Sequence, residues 1–131
     1  MASLVGKWKL HESENFDEFL KALGVSMAWR KLASTSKPVV EIKNEGDDWS
    51  MKTSTLLKTS EIKFQLGKEF EENRIDGVKV KTVINLEGDK LVQKQFGDKE
   101  VSIVRELDNG ELKVTCSLGD VVSVRKYVKE Q

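Results

Sequence analysis

Residues 100–129 read EVSIVRELDNGELKVTCSLGDVVSVRKYVK, and this stretch predicts the architecture of the whole chain. It contains three runs of alternating side chains, 100–107, 111–118 and 121–129, separated by short turns. Asn109 and Gly110 lie in the first turn, and both residue types tolerate a positive φ angle. Because such a pair is a strong hairpin signal, we expect the three runs to form consecutive antiparallel strands.

The same rhythm continues through most of the chain, with a strand-like run about every ten residues after Pro38. With one run near the N-terminus, the predicted strands are 6–12, 39–44, 49–56, 60–66, 69–74, 78–86, 90–96, 100–107, 111–118 and 121–129. A sheet of this many hairpin-linked strands tends to close on itself. The prediction is therefore an all-β fold, a ten-stranded antiparallel up-and-down β-barrel.

The hydrophobic period changes between the first two predicted strands, which indicates two short helices. The apolar residues of the first helix share one face: Phe16, Phe19, Leu20 and Leu23. Asn15 followed by Glu18 matches a capping box, and Gly24 predicts the end of that helix. Ser26 is expected to cap a second helix over 27–34. Because helices this short are marginal in isolation, we expect them to dock on the barrel as a lid.

The alternation predicts side-chain direction for some strands and leaves it open for the last one. In 111–118 the apolar parity should face the interior: Leu112, Val114, Cys116 and Leu118. Arg105 lies on the mainly apolar parity of its strand, unlike a solvated cation. Arg125 and Tyr127 share a face and form a donor pair suited to a carboxylate. Alternation alone would instead turn the opposing valines inward.

Composition excludes several classes of function. The 131 residues are expected to form one domain, 1–131, and 22 positive side chains balance 22 negative ones, which gives no electrostatic reason to expect a nucleic-acid partner. A single cysteine rules out an internal disulfide and favours a reducing compartment. The N-terminus has no apolar run long enough for a signal peptide, so a cytoplasmic location is expected. One histidine, no Gly-x-Ser-x-Gly motif and no ligand cluster predict no enzyme activity, no metal and no cofactor.

The N-terminal third carries a family resemblance. The run Gly6-Lys7-Trp8-Lys9-Leu10, followed by Asn15-Phe16-Asp17, Phe19-Leu20 and Leu23, resembles the signature of the intracellular lipid-binding proteins, the fatty-acid-binding proteins. Similar stretches at 59–67 and 124–127 extend the resemblance over essentially the whole chain, most closely to the heart, adipocyte, epidermal and myelin branch and its invertebrate relatives. The resemblance implies a barrel with a two-helix lid at about 15–35, a gap between the fourth and fifth strands near 66–69, and an internal cavity for one long-chain fatty acid.

The resemblance also implies roles for individual residues. Arg125 and Tyr127 would bind the ligand carboxylate directly, and Arg105 would bind it, often through water. This implication turns the last strand's arginine and tyrosine inward, against simple alternation. The positions matching the cavity lining are Phe16, Leu20, Pro38, Thr53, Asp76, Gln95 and Cys116. Two have simpler readings: Asp76 as a turn residue and Cys116 as a small buried apolar residue instead of a reactive thiol.

The access route is where the sequence departs from its vertebrate relatives. The positions matching the portal and lid are Val25, Leu32, Leu57 and Ile75. Leu57 replaces a usual phenylalanine and Ile75 a usual alanine, while Trp29 and Arg74 are also unusual. The basic residues of the lid match a cluster that serves membrane contact or nuclear import in some relatives, although a solvated helix face is the simpler reading: Lys21, Arg30 and Lys31.

The function implied by this resemblance is a cytoplasmic, monomeric carrier that reversibly binds and transports one long-chain fatty acid, with transient membrane contact through the lid. The alternative is a retinoic-acid carrier of the same fold, because retinoic-acid binders share the arginine and tyrosine pattern. Retinol binders usually have glutamines in place of the two arginines, so Arg105 with Arg125 argues against retinol. A lipid sensor acting through protein contacts is a further reading.

Overall fold

The computed structural model describes residues 3–55 and 58–130. In chain order the elements are β1 (Gly6–Glu14), α1 (Phe16–Leu23), α2 (Met27–Thr35), β2 (Val39–Glu45), β3 (Asp48–Ser54), β4 (Thr59–Phe64), β5 (Phe70–Asn73), β6 (Lys79–Glu87), β7 (Lys90–Phe96), β8 (Val101–Asp108), β9 (Glu111–Leu118) and β10 (Val121–Lys129). The strands form one sheet in the order β4-β3-β2-β1-β10-β9-β8-β7-β6-β5. Since β1 pairs with β10, the sheet curls into a nearly closed antiparallel barrel, which confirms the predicted fold class.

The hairpin between β8 and β9 has the turn that its sequence predicts. Asp108 pairs with Glu111 across the two strands. The two residues between them have φ angles of 53° for Asn109 and 80° for Gly110. Two consecutive left-handed residues match the twist of the flanking strands, which is why this dipeptide favours a tight hairpin.

The first strand bends as it passes from one side of the barrel to the other. β1 runs to Glu14, two residues beyond the predicted limit at residue 12. Its pairing register with β10 shifts between Leu10 and Glu12, which marks a bulge or irregularity. A bulge increases local twist and bends the strand. The beginning of β1, from Gly6 to Lys9, pairs with β2, while the strand from Trp8 to Glu14 pairs with β10.

The last strand turns its polar side chains inward. Arg125 and Tyr127 are buried, with 8% and 5% of their surfaces exposed, whereas Val122 is 45% exposed. Simple alternation, which favoured inward valines, is therefore wrong for β10. It assumes a dry apolar interior, but this barrel encloses cavities lined in part by charged side chains. The apolar parity of β9 does face inward, as Leu112 at 0% exposure shows.

The first helix docks on the barrel through its apolar stripe. Phe19, Leu20 and Leu23 are buried, and Gly24 ends the helix with a φ of 93° and an N–H that donates to Lys21 O. The predicted capping box is wrong. Asn15 has a left-handed backbone, with φ at 63°, and forms no side-chain cap. Its side chain instead donates to β10, at the carbonyl of Val122, over 3.0 Å.

The second helix, α2, lies at the protein surface. The hydroxyl of Ser26 accepts a hydrogen bond from Trp29 N at 3.4 Å, which confirms the predicted cap. Every residue of α2 retains some exposure, and Met27 and Trp29 are 63% and 66% exposed. Among the described residues, no helix is both long and apolar enough to cross a lipid bilayer.

The sheet has its two edges at β4 and β5, where the resemblance placed a gap in the pairing. Side chains cover this gap. The ring of Phe64 on β4 stacks on Phe70 of β5 with centroids 6.0 Å apart, and Trp49 stacks on the other side of Phe64 at 6.2 Å. In the connecting turn, Gly67 N donates to Ile84 O at 2.9 Å. An aromatic stack and a turn therefore replace the missing backbone ladder.

Candidate functional site

Arg125 and Tyr127 project from β10 toward the space beneath α1. The guanidinium carbon of Arg125 lies 3.8 Å from the centroid of the Phe16 ring, a cation–π contact between strand β10 and helix α1 of the lid. Within the described part of the chain, Arg125 Nε has no hydrogen-bond partner although it is buried. Burial raises the pKa of Tyr127, so its hydroxyl remains a neutral donor near neutral pH. Both residues thus have donor capacity available to an anion.

Arg105 projects from β8 toward the same space as Arg125 and Tyr127. Its Nη1 donates to Gln93 Oε1 at 2.7 Å. Burial lowers the pKa of Arg105, and the neighbouring Cys116, Tyr127 and Glu72 oppose that shift. Because arginine starts from a very high pKa, the side chain stays charged at physiological pH, which a buried lysine would not do as readily.

A carboxylate that the sequence analysis did not single out lies beside Arg105. One oxygen of Glu72 accepts hydrogen bonds from Thr82 Oγ1 at 2.7 Å, Gln93 Nε2 at 2.6 Å and Gln95 Nε2 at 2.9 Å. Gln93 therefore bridges Glu72 to Arg105. Glu72 and Phe70 share one parity of β5, so alternation would have indicated the direction of the Glu72 side chain. It could not have indicated the hydrogen-bond partners, which lie on β6 and β7.

Two neighbouring cavities lie beside the lid. The first, of about 310 Å³, is lined by Phe16, Leu20 and Arg125 and by exposed polar side chains. The second, of about 230 Å³, is lined by Arg105, Arg125 and Tyr127. Phe16 and Arg125 line both cavities. All three side chains that the resemblance assigned to a carboxylate thus border the second cavity.

The other predicted cavity residues fall into two groups. Phe16, Leu20, Pro38 and Thr53 line one or both cavities. Gln95 and Cys116 are buried in the barrel wall, at 5% and 6% exposure, without lining either space. Burial raises the pKa of the Cys116 thiol, which favours the unreactive protonated form.

Asp76 acts as an ion-pair partner of Arg74. The Arg74 side chain makes two hydrogen bonds of 2.7 Å to the two carboxylate oxygens of Asp76 and a third of 3.2 Å to Asp98. The side-chain hydrogen bond from Arg74 lowers the pKa of Asp76, and the bond from Asp76 raises that of Arg74. The sequence marked Arg74 as unusual without predicting this role.

The Arg74 pair is connected to the lid. Arg74 Nη1 donates to Lys99 O at 3.3 Å, and Lys99 Nζ donates to Ala22 O at 3.0 Å, in the last turn of α1. These contacts join the β5–β6 turn, the β7–β8 turn and the lid. A cation at the carbonyl end of a helix is also favoured by the helix dipole.

The predicted portal and lid residues range from exposed to half-buried. Ile75 is 59% exposed and also lines the second cavity, and Leu32 is 46% exposed. Val25 is half-buried and packs against the core. Leu57 lies outside the described residues, as does residue 56 at the end of the third predicted strand.

The basic residues of the lid differ in their surroundings. Arg30 donates to Asp17 at 3.1 Å and to Val25 O at 2.7 Å, so it holds the two helices together. Lys21 and Lys31 are exposed. No group of His, Cys, Asp and Glu suited to a metal ion occurs within 3–55 and 58–130.

Comparison with known proteins agrees with this geometry. Residues 5–130 match the model of the lipocalin / cytosolic fatty-acid binding protein family. The chain is 53% identical to a fatty acid-binding protein of Tyrophagus putrescentiae over 131 residues, covering 99% of this chain and 100% of the relative.

Two solved structures have nearly the same backbone. A fatty acid-binding protein from brain tissue of Drosophila melanogaster gives a TM-score of 0.92 at 48% identity, covering 98% of this chain and 100% of that one. A Schistosoma mansoni fatty acid binding protein in complex with arachidonic acid gives 0.95 at 39% identity, covering 100% and 98%. The chain belongs to the lipocalin / cytosolic fatty-acid binding protein family.

Proposed function

We propose that this protein is a carrier that reversibly binds one long-chain fatty acid in the barrel and transports it without a chemical step. The observation that supports this most directly is the convergence of Arg105, Arg125 and Tyr127 on one cavity. The names of the relatives and the arachidonic acid complex of the Schistosoma mansoni protein point to the same ligand class.

The head-group site suits a carboxylate energetically. A buried carboxylate without partners would be strongly disfavoured. Here the unpartnered Nε of Arg125 and the neutral hydroxyl of Tyr127 provide donors, and the guanidinium charge of Arg105 lies nearby. Ligand binding replaces water at groups that are already fixed in place, which limits the cost of ordering them.

The tail contributes through its length. Each methylene that leaves water for the apolar part of the cavity contributes about 0.8 kcal/mol. The apolar lining of the second cavity includes Met51, Leu112 and Val114. We therefore expect affinity to rise with chain length until the tail fills the space available to it.

The lid offers a surface for delivery to membranes in the cytoplasm. Met27, Trp29 and Leu32 of α2 are exposed, and the exposed Lys21 and Lys31 carry positive charge on the same lid. Apolar and aromatic side chains that insert at the interface, flanked by lysines, favour anionic lipid surfaces. Transient contact through α2 would bring the portal close to the membrane.

Calorimetric titration of the delipidated protein with oleate and with all-trans retinoic acid tests this function. We expect one oleate per chain, bound more tightly than retinoic acid. Absence of oleate binding, or tighter binding of retinoic acid, would overturn the fatty-acid assignment. Mass spectrometry of lipids extracted from the purified recombinant protein provides an independent check, with long-chain fatty acids expected.

A further inference from the structure

Arg105, Arg125 and Glu72 place charged side chains close to the head-group cavity. Arg105 and Arg125 line that cavity, and Glu72 is joined to Arg105 through Gln93. We propose that Glu72 determines the head-group charge that the cavity accepts, so that a monoanion binds better than a dianion of the same shape. This inference rests on the proposed function, because it concerns the same anion site.

Glu72 is held in place by a dedicated set of donors. Thr82, Gln93 and Gln95 all donate to the same carboxylate oxygen, over 2.6–2.9 Å. Thr82, Gln93 and Gln95 are themselves buried, at 0%, 2% and 5% exposure. An oxygen that accepts three hydrogen bonds from buried donors acts as a fixed negative charge in the barrel wall.

The charges at the second cavity leave one positive charge unbalanced. Among the described residues that line it, the charged ones are Arg105 and Arg125, and Glu72 offsets one of these two guanidiniums. Burial raises the pKa values of Tyr127 and Cys116, so both are neutral near neutral pH. A carboxylate ligand would complete the neutralisation.

The charges around Arg74 form a separate group. Arg74 pairs with Asp76 and Asp98, and its Nη1 donates to Lys99 O. Within the described residues, the hydrogen bonds of this group do not reach Arg105 or Arg125. Among the described residues, Glu72 is therefore the carboxylate whose hydrogen-bond network reaches a head-group arginine.

A second negative charge on the ligand would have no matching cation. It would repel Glu72 while gaining no further guanidinium, and like charges in a desolvated site are costly. Removing the charge of Glu72 would leave two positive charges in the interior. The cavity should then accept a dianion more readily.

Tetradecyl sulfate and tetradecyl phosphate provide matched probes. Both have a tetrahedral head group on the same tail, and at pH 8 they carry about one and about two negative charges respectively. Calorimetry below their micelle concentrations should give wild-type affinity at least about tenfold higher for the sulfate. In Glu72→Gln the ratio should move toward the phosphate by about tenfold.

Glu71→Gln is the matched control, because Glu71 precedes Glu72 on β5 and is exposed. It should keep the wild-type ratio. Equal wild-type affinity for the two probes, or an unchanged ratio in Glu72→Gln, would overturn the inference. If Glu72→Gln does not fold, the wild-type comparison decides. Tetradecanoate is titrated in parallel: its failure to bind the wild-type protein would count against the proposed function, whereas its binding with an unchanged ratio would count against Glu72 alone.

Discussion

Removing Arg74 should destabilise the barrel at the β5–β6 turn. Arg74→Met leaves Asp76, whose side chain is 9% exposed, without its two 2.7 Å hydrogen bonds. It also releases the carbonyl of Lys99, the residue that contacts the end of α1. The effect should therefore appear both in stability and in the rate of ligand release.

The magnitude follows from burial. Breaking a deeply buried ion pair by removing one partner costs about 3–5 kcal/mol. We expect about 2–3 kcal/mol here, since the pair lies at a turn near the surface. Asp98 contributes less than about 1 kcal/mol because its side chain is 63% exposed. The double replacement Arg74→Met with Asp76→Asn should recover most of the loss, because no unpaired charge remains.

The loss should also depend on pH. Arg74 holds the pKa of Asp76 below its ordinary value of 3.8, so the pair stabilises the folded state fully above that value. This stability is lost as the pH falls through the lower folded-state pKa. Wild-type and Arg74→Met proteins should therefore differ most at pH 7, and the difference should shrink progressively as the pH falls below 3.8.

Urea unfolding followed by tryptophan fluorescence measures the free energy of unfolding, and stopped-flow release of a fluorescent fatty acid measures the rate. Asp98→Asn is the control and should lie within about 1 kcal/mol of wild type. Equal stability of Arg74→Met and wild type at pH 7, or no recovery on adding Asp76→Asn, would refute a stabilising role for this ion pair.

Three further predictions concern separate features of the chain. Gly110→Val should lower the free energy of unfolding in urea by about 1–2 kcal/mol, because the φ angle of Gly110 is 80°. No atom lies within 4 Å of an added Cβ, so the cost comes from the backbone angle alone. Asn109→Gly should cost little, and equal stability of Gly110→Val and wild type would contradict the turn assignment. Trp29→Gln should slow fatty-acid transfer to anionic vesicles, with Ser34→Ala as control, and an unchanged rate would remove α2 from the membrane contact. Cys116 should react with iodoacetamide at pH 8 at least about tenfold more slowly in the native protein than in urea, because burial raises its pKa and blocks access; comparable rates would indicate a reactive thiol.

Local patterns predicted the strands well because hairpin sheets are encoded by neighbouring residues. Asn109 and Gly110 tolerate the left-handed angles that the turn has, and alternation in β9 separates a buried face from a partly exposed one. The same rule failed for Arg125, because alternation measures hydrophobicity and the barrel interior is partly polar. The family resemblance corrected that direction, since it contains information about the interior that the periodicity lacks.

Contacts between distant strands were beyond sequence reasoning. Glu72 finds its donors 10 to 23 residues away, on β6 and β7, and Arg74 reaches Asp98 across 24 residues. Neither contact produces a periodic pattern in the sequence. Asn15 failed as a cap for a related reason: its amide is used by β10, 107 residues away, which a local capping rule cannot anticipate.

Arg125 is proposed to bind the carboxylate of a fatty acid inside the barrel. Calorimetry with oleate on Arg125→Gln and Lys126→Gln tests it most directly, because the two residues are adjacent on β10 while only Arg125 lines the cavities. Loss of a charge-assisted hydrogen bond of about 1.5–3 kcal/mol predicts at least about tenfold weaker binding for Arg125→Gln, with stability largely kept and Lys126→Gln near wild type. Equal oleate affinity in Arg125→Gln and wild type would contradict the head-group assignment.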